Sequence, residues 1–115
     1  MSDRVKNWTI YVRDMVEFIN NVESYTQGFT KSSFKNSRIT YDATVRNIEL
    51  IGEAASKVPT EIQARYTNIP WRLLIATRNR LIHGYFGIDD DILWDIVSND
   101  LTSLKDELRI LLEEA

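Results

Sequence analysis

Apolar residues recur every three or four positions along four segments of the chain, which is the spacing of one face of an α-helix. The segments are residues 4–25, 38–57 and 71–83, and a last one that begins at one of the aspartates 89–91. No stretch alternates apolar and polar positions as a half-buried strand does. The pattern therefore predicts an all-α protein. The predicted buried positions are Val5, Trp8, Val12, Met15, Ile19, Val22, Tyr41, Val45, Ile48, Ile51, Ala55, Leu93, Val97, Leu101, Leu104, Leu108 and Leu111.

Helix-breaking residues fall between these segments and set their limits. Pro59 ends the second helix, Pro70 precedes the third, and Gly84 is well placed to terminate the third. Residues 32–35 and 60–63 are short enough to form single helical turns. We therefore expect a four-helix up-and-down bundle with short extra helical turns, formed as a single domain over residues 1–115.

Composition narrows the class of protein. A chain of 115 residues has the size of one ordinary domain, and the absence of cysteine excludes disulfides and thiolate metal sites. No apolar run approaches the ~20 residues that span a bilayer, and the N-terminus leads into an amphipathic segment rather than a signal peptide. The simplest expectation is a soluble cytoplasmic protein without a membrane segment.

Charge is distributed unevenly along the sequence. The chain has 14 Lys and Arg against 17 Asp and Glu, but residues 62–88 contain no acid at all. Four arginines fall in that stretch, at positions 65, 72, 78 and 80. A basic segment in an acidic protein predicts a local anion site rather than a broad nucleic-acid-binding face.

The same stretch holds the single histidine of the protein, His83, five positions after Arg78. In a helix this step leaves the two side chains within about 140° of each other and roughly 7–8 Å apart along the axis. A guanidinium binds phosphate oxygens through paired hydrogen bonds, and an imidazole takes up and releases a proton near neutral pH. The pair suits phosphodiester cleavage. A structural reading also stands, with His83 capping the helix and Arg78 paired to an acid. Glu49 and Glu53 of the second helix are candidates to pair with Arg78 or Arg80, and surface exposure is the other reading for both acids.

Two other groups of residues invite a chemical interpretation. Three consecutive aspartates, 89–91, resemble a metal site, but their place before an apolar helical pattern favours N-capping, and we expect neither a metal nor a cofactor. The tryptophans at positions 8, 71 and 94 fall on apolar stripes or at a helix start. Core or dimer contacts are favoured for them over base-stacking platforms.

Four ordered segments carry a resemblance to a known family. Residues 78–85 read arginine, a polar residue, a spacer, histidine, any residue and tyrosine, an Arg-x4-His-x-Tyr motif. Similar segments are 45–55 (VRNIELIGEAA), 68–72 (NIPWR) and 89–94 (DDDILW). The chain thereby resembles the HepT-like ribonuclease toxins of the HEPN superfamily, small helical proteins encoded beside a minimal nucleotidyltransferase antitoxin.

The resemblance implies a metal-independent RNA endonuclease with Arg78 and His83 as catalytic residues. Asn79 and Arg80 would support them, and solvent exposure is the other reading for Asn79. One histidine cannot easily act as base and acid at once, so either water takes the second role or two sites face each other across a dimer. The resemblance implies the homodimer.

The resemblance also implies a partner and a modification. A nucleotidyltransferase antitoxin would attach adenylate to Tyr85 and so neutralise the toxin. Packing of the Tyr85 ring on the end of the bundle is the structural alternative. Two other functions remain open from the sequence: an inactive nucleotide- or RNA-binding helical module in complex with a nucleotidyltransferase, and a purely structural partner protein.

Overall fold

The computed structural model describes residues 7–82 and 89–115, and throughout these residues the regular structure is helical. The expectation of an all-α protein is confirmed. The helices are α1 (Thr9–Thr26), α2 (Lys31–Asn36), α3 (Arg38–Ser56), α4 (Thr60–Arg65), α5 (Trp71–Ile82), α6 (Asp90–Asp95) and α7 (Leu101–Glu114), with a π-helical turn (Ile96–Asp100) that joins α6 to α7.

Helices α2 and α3 each begin at a side chain that caps the first turn. The Thr30 side chain accepts a hydrogen bond from the Ser33 amide, and the Ser33 side chain accepts one from the Thr30 amide, which forms a capping box at the start of α2. Ser37 is the N-cap of α3, where its side chain accepts a hydrogen bond from the amide of Thr40. The two short turns expected from sequence are six-residue helices, α2 and α4, and α4 begins after Pro59 without a side-chain cap.

Helix α3 lies at the centre of the fold and packs against α1 on one side and α5 on the other, while α7 packs against α1. The predicted stripes supply the core, because Val12, Met15, Ile19 and Val22 of α1 are completely buried. Tyr41 is only partly buried. The expected up-and-down bundle topology stays a prediction. The other predicted positions that the structure buries are Val45, Ile48, Ile51, Ala55, Leu93, Val97, Leu101, Leu104, Leu108 and Leu111.

The three tryptophans have different surroundings. Trp71 is buried and its indole nitrogen donates to the Tyr66 carbonyl at 3.0 Å, and the Trp94 ring lies 5.1 Å from the ring of Phe34. These two residues are core contacts, as expected. Trp8 is half-buried at the start of α1 and borders an open depression.

The last long helix is interrupted, which the apolar pattern did not predict. The π-helical turn at Ile96–Asp100 contains one buried residue, Val97, and keeps the stripes of α6 and α7 on the same core. Such turns insert a residue into the helical ladder and change its direction locally. Among the helices of the described ranges, none combines the length and the apolar character that crossing a membrane requires.

Candidate active site at the end of helix α5

Arg78 lies at the centre of the face with which α5 packs against the rest of the protein. Trp71 and Leu81 are buried on this face, and Leu74 and Ile75 pack partly buried against the core. At about 100° per residue, these four residues cover an arc of roughly 120°, with Arg78 near its middle. Apolar residues normally fill this position. The fold therefore holds a charged side chain, itself half-buried, where a core residue would stand.

A glycine on α3 makes room for this arginine. Gly52 is buried, and a Cβ atom at this position would collide with the Cβ of Arg78 and with the carbonyl oxygen of Leu74. The backbones of α3 and α5 can therefore approach closely only because residue 52 has no side chain. This close approach fixes the position of the first atoms of the Arg78 side chain.

The polar atoms of Arg78 are only partly matched within the protein. Its Nη1 donates to Oδ1 of Asn79 at 3.0 Å, and its Nε is buried without a hydrogen-bond partner among the described residues. Glu49 pairs with Arg46 on its own helix, so the expected pairing of Glu49 with Arg78 or Arg80 is not formed. Within residues 7–82 and 89–115, no carboxylate neutralises Arg78, which leaves its charge available to an anion.

The other residues of the basic stretch are not gathered around Arg78. Asn79 and Arg80 are exposed, and Arg80 lies about 200° around α5 from Arg78. Arg72 is exposed on a third side, and Arg65 borders the depression beside α1 and α4. The structure thus brings the Asn79 side chain to Arg78. The other three arginines of the stretch point to different sides of the protein and do not join this site.

His83, Gly84 and Tyr85 lie outside the described residues. His83 follows directly in sequence on Ile82, the last residue of α5, and Arg78 stands little more than one helical turn before that end. The roles assigned to His83 and Tyr85 from the sequence therefore remain predictions.

The three aspartates that follow this segment each have a partner of their own. Oδ1 of Asp89 accepts hydrogen bonds from the amides of residues 91 and 92, so Asp89 is the N-cap of α6. Asp90 accepts the hydroxyl of Tyr41 at 2.7 Å, and Asp91 forms an ion pair with Lys31 at 2.6 Å. The N-capping interpretation is confirmed for Asp89. Together these contacts join the start of α6 to α2 and α3.

These contacts change the protonation equilibria of the groups involved. Burial, together with the hydrogen bond to Asp90, raises the pKa of Tyr41 to about 12. The hydrogen bond from Lys31 lowers the pKa of Asp91. Tyr41 therefore stays a neutral donor, and Asp91 stays a charged acceptor, throughout the neutral pH range.

Sequence reasoning missed Gly52 and Lys31 as site-shaping residues and treated Tyr41 only as a core residue. The glycine between Ile51 and Glu53 interrupts a strong apolar stripe, which is a signal for close helix packing. The contacts of Tyr41 with Asp90 and of Lys31 with Asp91 have no comparable signal in the sequence. Each contact joins residues about fifty or sixty positions apart in the chain.

Comparison with known proteins finds similarity to one family over most of the chain. A family model described as ribonuclease HepT-like matches residues 15–111. The chain is 36% identical over 101 residues to "Probable ribonuclease HepT" of Thermococcus cleftensis, covering 88% of this chain and 92% of that protein. It is 35% identical over 101 residues to a "Putative RNase" of Methanocaldococcus jannaschii, covering 88% and 93%.

A third relative is longer than this chain. It is the "Gamma-glutamylcyclotransferase and putative RNase" of Methanocaldococcus jannaschii, 38% identical over 109 residues. The match covers 95% of this chain but 49% of the relative, so the chain spans about half the length of that protein. No solved structure matches the chain.

Proposed function

Because the chain belongs to the HepT-like ribonuclease family, we propose that it is a metal-independent RNA endonuclease and the toxin of a toxin–antitoxin pair. The observation that carries the proposal is the placement of Arg78. A cation held on a buried helix face, with a buried Nε that lacks a partner among the described residues, is a prepared site for an anion. The scissile phosphate of RNA is the anion proposed here.

The proposed reaction uses the 2′-hydroxyl of the substrate as nucleophile. His83 takes its proton, the 2′-oxygen forms a bond to phosphorus, and the bond from phosphorus to the 5′-oxygen breaks. The 5′-oxygen leaves with a proton from water or from the second site of a dimer. Arg78 stabilises the charge that grows on the non-bridging oxygens, and Asn79 orients the guanidinium. The products carry a 2′,3′-cyclic phosphate and a 5′-hydroxyl, and DNA, without a 2′-hydroxyl, is not cleaved.

The test is incubation of purified protein with labelled RNA in EDTA. Wild-type protein should cleave, and His83→Ala and Arg78→Ala should each lose about 10²–10⁴ in rate, the usual cost of removing such a group. Arg72→Ala is the matched control, because it removes an exposed cation from the same helix on another side. Cleavage by His83→Ala at the wild-type rate would show that the site is wrong, and strict dependence on added magnesium would refute the metal-free reaction. Retention of RNA without turnover would instead support the inactive binding module.

We also propose that two copies form a homodimer through a cleft beside α5. The cleft has a volume of about 80 Å³ and lies between α3, α5 and the chain from Ile96 to Leu104. Leu73 stands at its edge with 65% of its surface exposed. An apolar knob beside an apolar hole suits a two-fold contact, in which each copy inserts its Leu73 into the cleft of the other. This contact would bring the two α5 helices, and the Arg78 of each, towards one groove.

The proposed antitoxin is a minimal nucleotidyltransferase that adenylylates Tyr85. A phosphodiester on this tyrosine adds negative charge close in sequence to Arg78, where it would compete with the substrate phosphate. Co-expression with the nucleotidyltransferase should raise the intact mass by one or more adenylate units, mapped to Tyr85, and should reduce RNA cleavage. Tyr85→Phe should stay unmodified and active. Full neutralisation of Tyr85→Phe without a mass shift would show that inhibition occurs by complex formation alone.

A further inference from the structure

A second charged and aromatic site lies on the side of α3 that faces α1. An open depression of about 550 Å³ is formed by the start of α1, the end of α3 and the short helix α4. This volume lies within the range of 300–1,000 Å³ that is typical of small-molecule sites. The lining residues are Trp8, Tyr11, Lys57, Pro59, Glu61, Ile62 and Arg65.

The depression combines flat rings with cations. Tyr11 and Trp8 are half-buried, packed against the core, and therefore fixed in position. The Nζ of Lys57 lies 5.5 Å from the centroid of the Tyr11 ring, within range of a cation–π contact. Lys57 and Arg65 are both exposed, and neither forms an ion pair with another described residue. Among the described residues of the lining, Glu61 is the one acid, so these residues together carry a net positive charge in a chain whose net charge is −3.

This depression is separate from the Arg78 site. None of the described side chains of α5, residues 71–81, lines it. Lys57 follows Gly52 by five residues, which places it about 140° around the axis of α3 from the glycine that contacts α5. Helix α1 borders one site and α5 the other, and α3 separates the two helices.

We propose that the depression binds one nucleotide unit, with its base against the Tyr11 and Trp8 rings and its phosphate at Lys57 and Arg65. Bases stack on aromatic side chains whatever their identity, and the two cations supply charge-assisted hydrogen bonds to phosphate oxygens. Glu61 opposes the phosphate and limits the affinity. The nucleotide is either free or part of an RNA strand, since both present the same base and phosphate. The proposal does not depend on ribonuclease activity.

The test is a titration of the wild-type chain with 5′-AMP, monitored by calorimetry. AMP is a suitable probe because it has no phosphodiester that the protein could cleave. We expect binding that weakens about tenfold in Lys57→Ala and in Tyr11→Leu, which keeps an apolar side chain against the core. Glu61→Gln should bind AMP more tightly, since it removes the opposing charge. Adenosine should bind more weakly than AMP. Arg13→Ala, an exposed cation on the outer side of α1, is the matched control and should bind as wild type does.

Other outcomes separate the sources of the ligand or overturn the site. Much tighter binding of a short 2′-O-methyl oligoadenylate, whose blocked 2′-hydroxyl cannot start cleavage, than of AMP would identify an RNA strand, and equal binding would identify a free nucleotide. No binding of AMP at millimolar concentration, or unchanged binding in both Lys57→Ala and Tyr11→Leu, overturns the proposal. Loss of AMP binding in Arg78→Ala, with Lys57→Ala unaffected, would assign the nucleotide to the α5 site and also overturn it.

Discussion

At the scale of single residues, one glycine on α3 determines where an arginine on α5 can stand. Residue 52 faces the backbone of α5, and its missing side chain permits the contact between the two helices. Arg78 then emerges on the buried face, where water screens its charge less than at the surface. The position of the Arg78 guanidinium therefore depends on Gly52, a residue that contributes no functional group to the site.

The first residue-scale prediction is that Gly52→Ala destabilises the fold. Alanine is favoured over glycine in a helix by about 1 kcal/mol, so a gain in stability would follow if the site were open. Here the new Cβ would collide with Arg78 and with the Leu74 carbonyl, which forces α5 away from α3. Overpacking of this kind costs about 1–3 kcal/mol. We expect a net loss of unfolding free energy in urea.

Ser56→Ala is the control for Gly52→Ala, because Ser56 is exposed on the same helix and donates only to the carbonyl of Glu53. Its unfolding free energy should stay within about 0.5 kcal/mol of the wild type. Gly52→Ala should also reduce RNA cleavage, through displacement of Arg78. A Gly52→Ala protein that is as stable and as active as the wild type would show that the close helix contact does not exist in solution.

At the scale of the element, helix α6 is short and depends on its first residues. The side chain of its N-cap residue, Asp89, accepts hydrogen bonds from two amides of the first turn. The two following aspartates place negative charge at the positive end of the helix dipole. Tyr41 and Lys31 then attach this turn to α3 and α2. The arrangement fixes the chain immediately after the segment that contains His83 and Tyr85.

The element-scale prediction is that Asp89→Ala lowers the unfolding free energy by about 1 kcal/mol, while Asp89→Asn changes it little. Asparagine caps a helix as well as aspartate does, and alanine offers no acceptor to the amides. Urea unfolding followed by circular dichroism measures both variants. Equal destabilisation by alanine and asparagine would mean that the carboxylate charge matters and that capping is not the role of Asp89.

At the scale of the whole molecule, the packing order of the helices leaves an apolar cleft on the outside of the core, between described residues of α3, α5 and α7. It lies where α5 approaches the π-helical turn and the first residues of α7. Leu73 is 65% exposed at this cleft, and Ile39 is 85% exposed on α3, outside the cleft lining. The two residues have similar side chains in different surroundings, which makes them a matched pair for testing association.

The whole-molecule prediction is that Leu73→Asp dissociates the proposed homodimer and Ile39→Asp does not. A carboxylate in an apolar pocket pays a large desolvation cost on association, whereas the same change on a free surface pays none. Analytical ultracentrifugation at micromolar concentration should show a dimer for the wild type and for Ile39→Asp, and a monomer for Leu73→Asp. A monomeric wild type, or a dimeric Leu73→Asp protein, would contradict the proposed contact.

Local patterns in the sequence are enough to predict the helices and most of the core. Apolar residues must face inward at the helical period, so positions such as Val12, Ile51 and Leu108 could be assigned to the interior before any helix was placed. Pro59 and Pro70 marked helix ends for equally local reasons, and the aspartates 89–91 marked the start of the last helical segment without showing which of them caps it. The Arg-x4-His-x-Tyr motif, with three other ordered segments, also identified the family.

Which of these residues meet depends on how the helices pack. The arginines of the acid-free stretch predicted one local anion site, but the turn of α5 keeps Arg80 away and leaves Arg78 facing Gly52. The contacts of Tyr41 with Asp90, and of Lys57 with Tyr11, join residues that are distant in the chain. Local sequence preferences fix where a helix begins and which face is apolar. Distant pairs depend on how the faces pack, and that is set by the shape of the whole core.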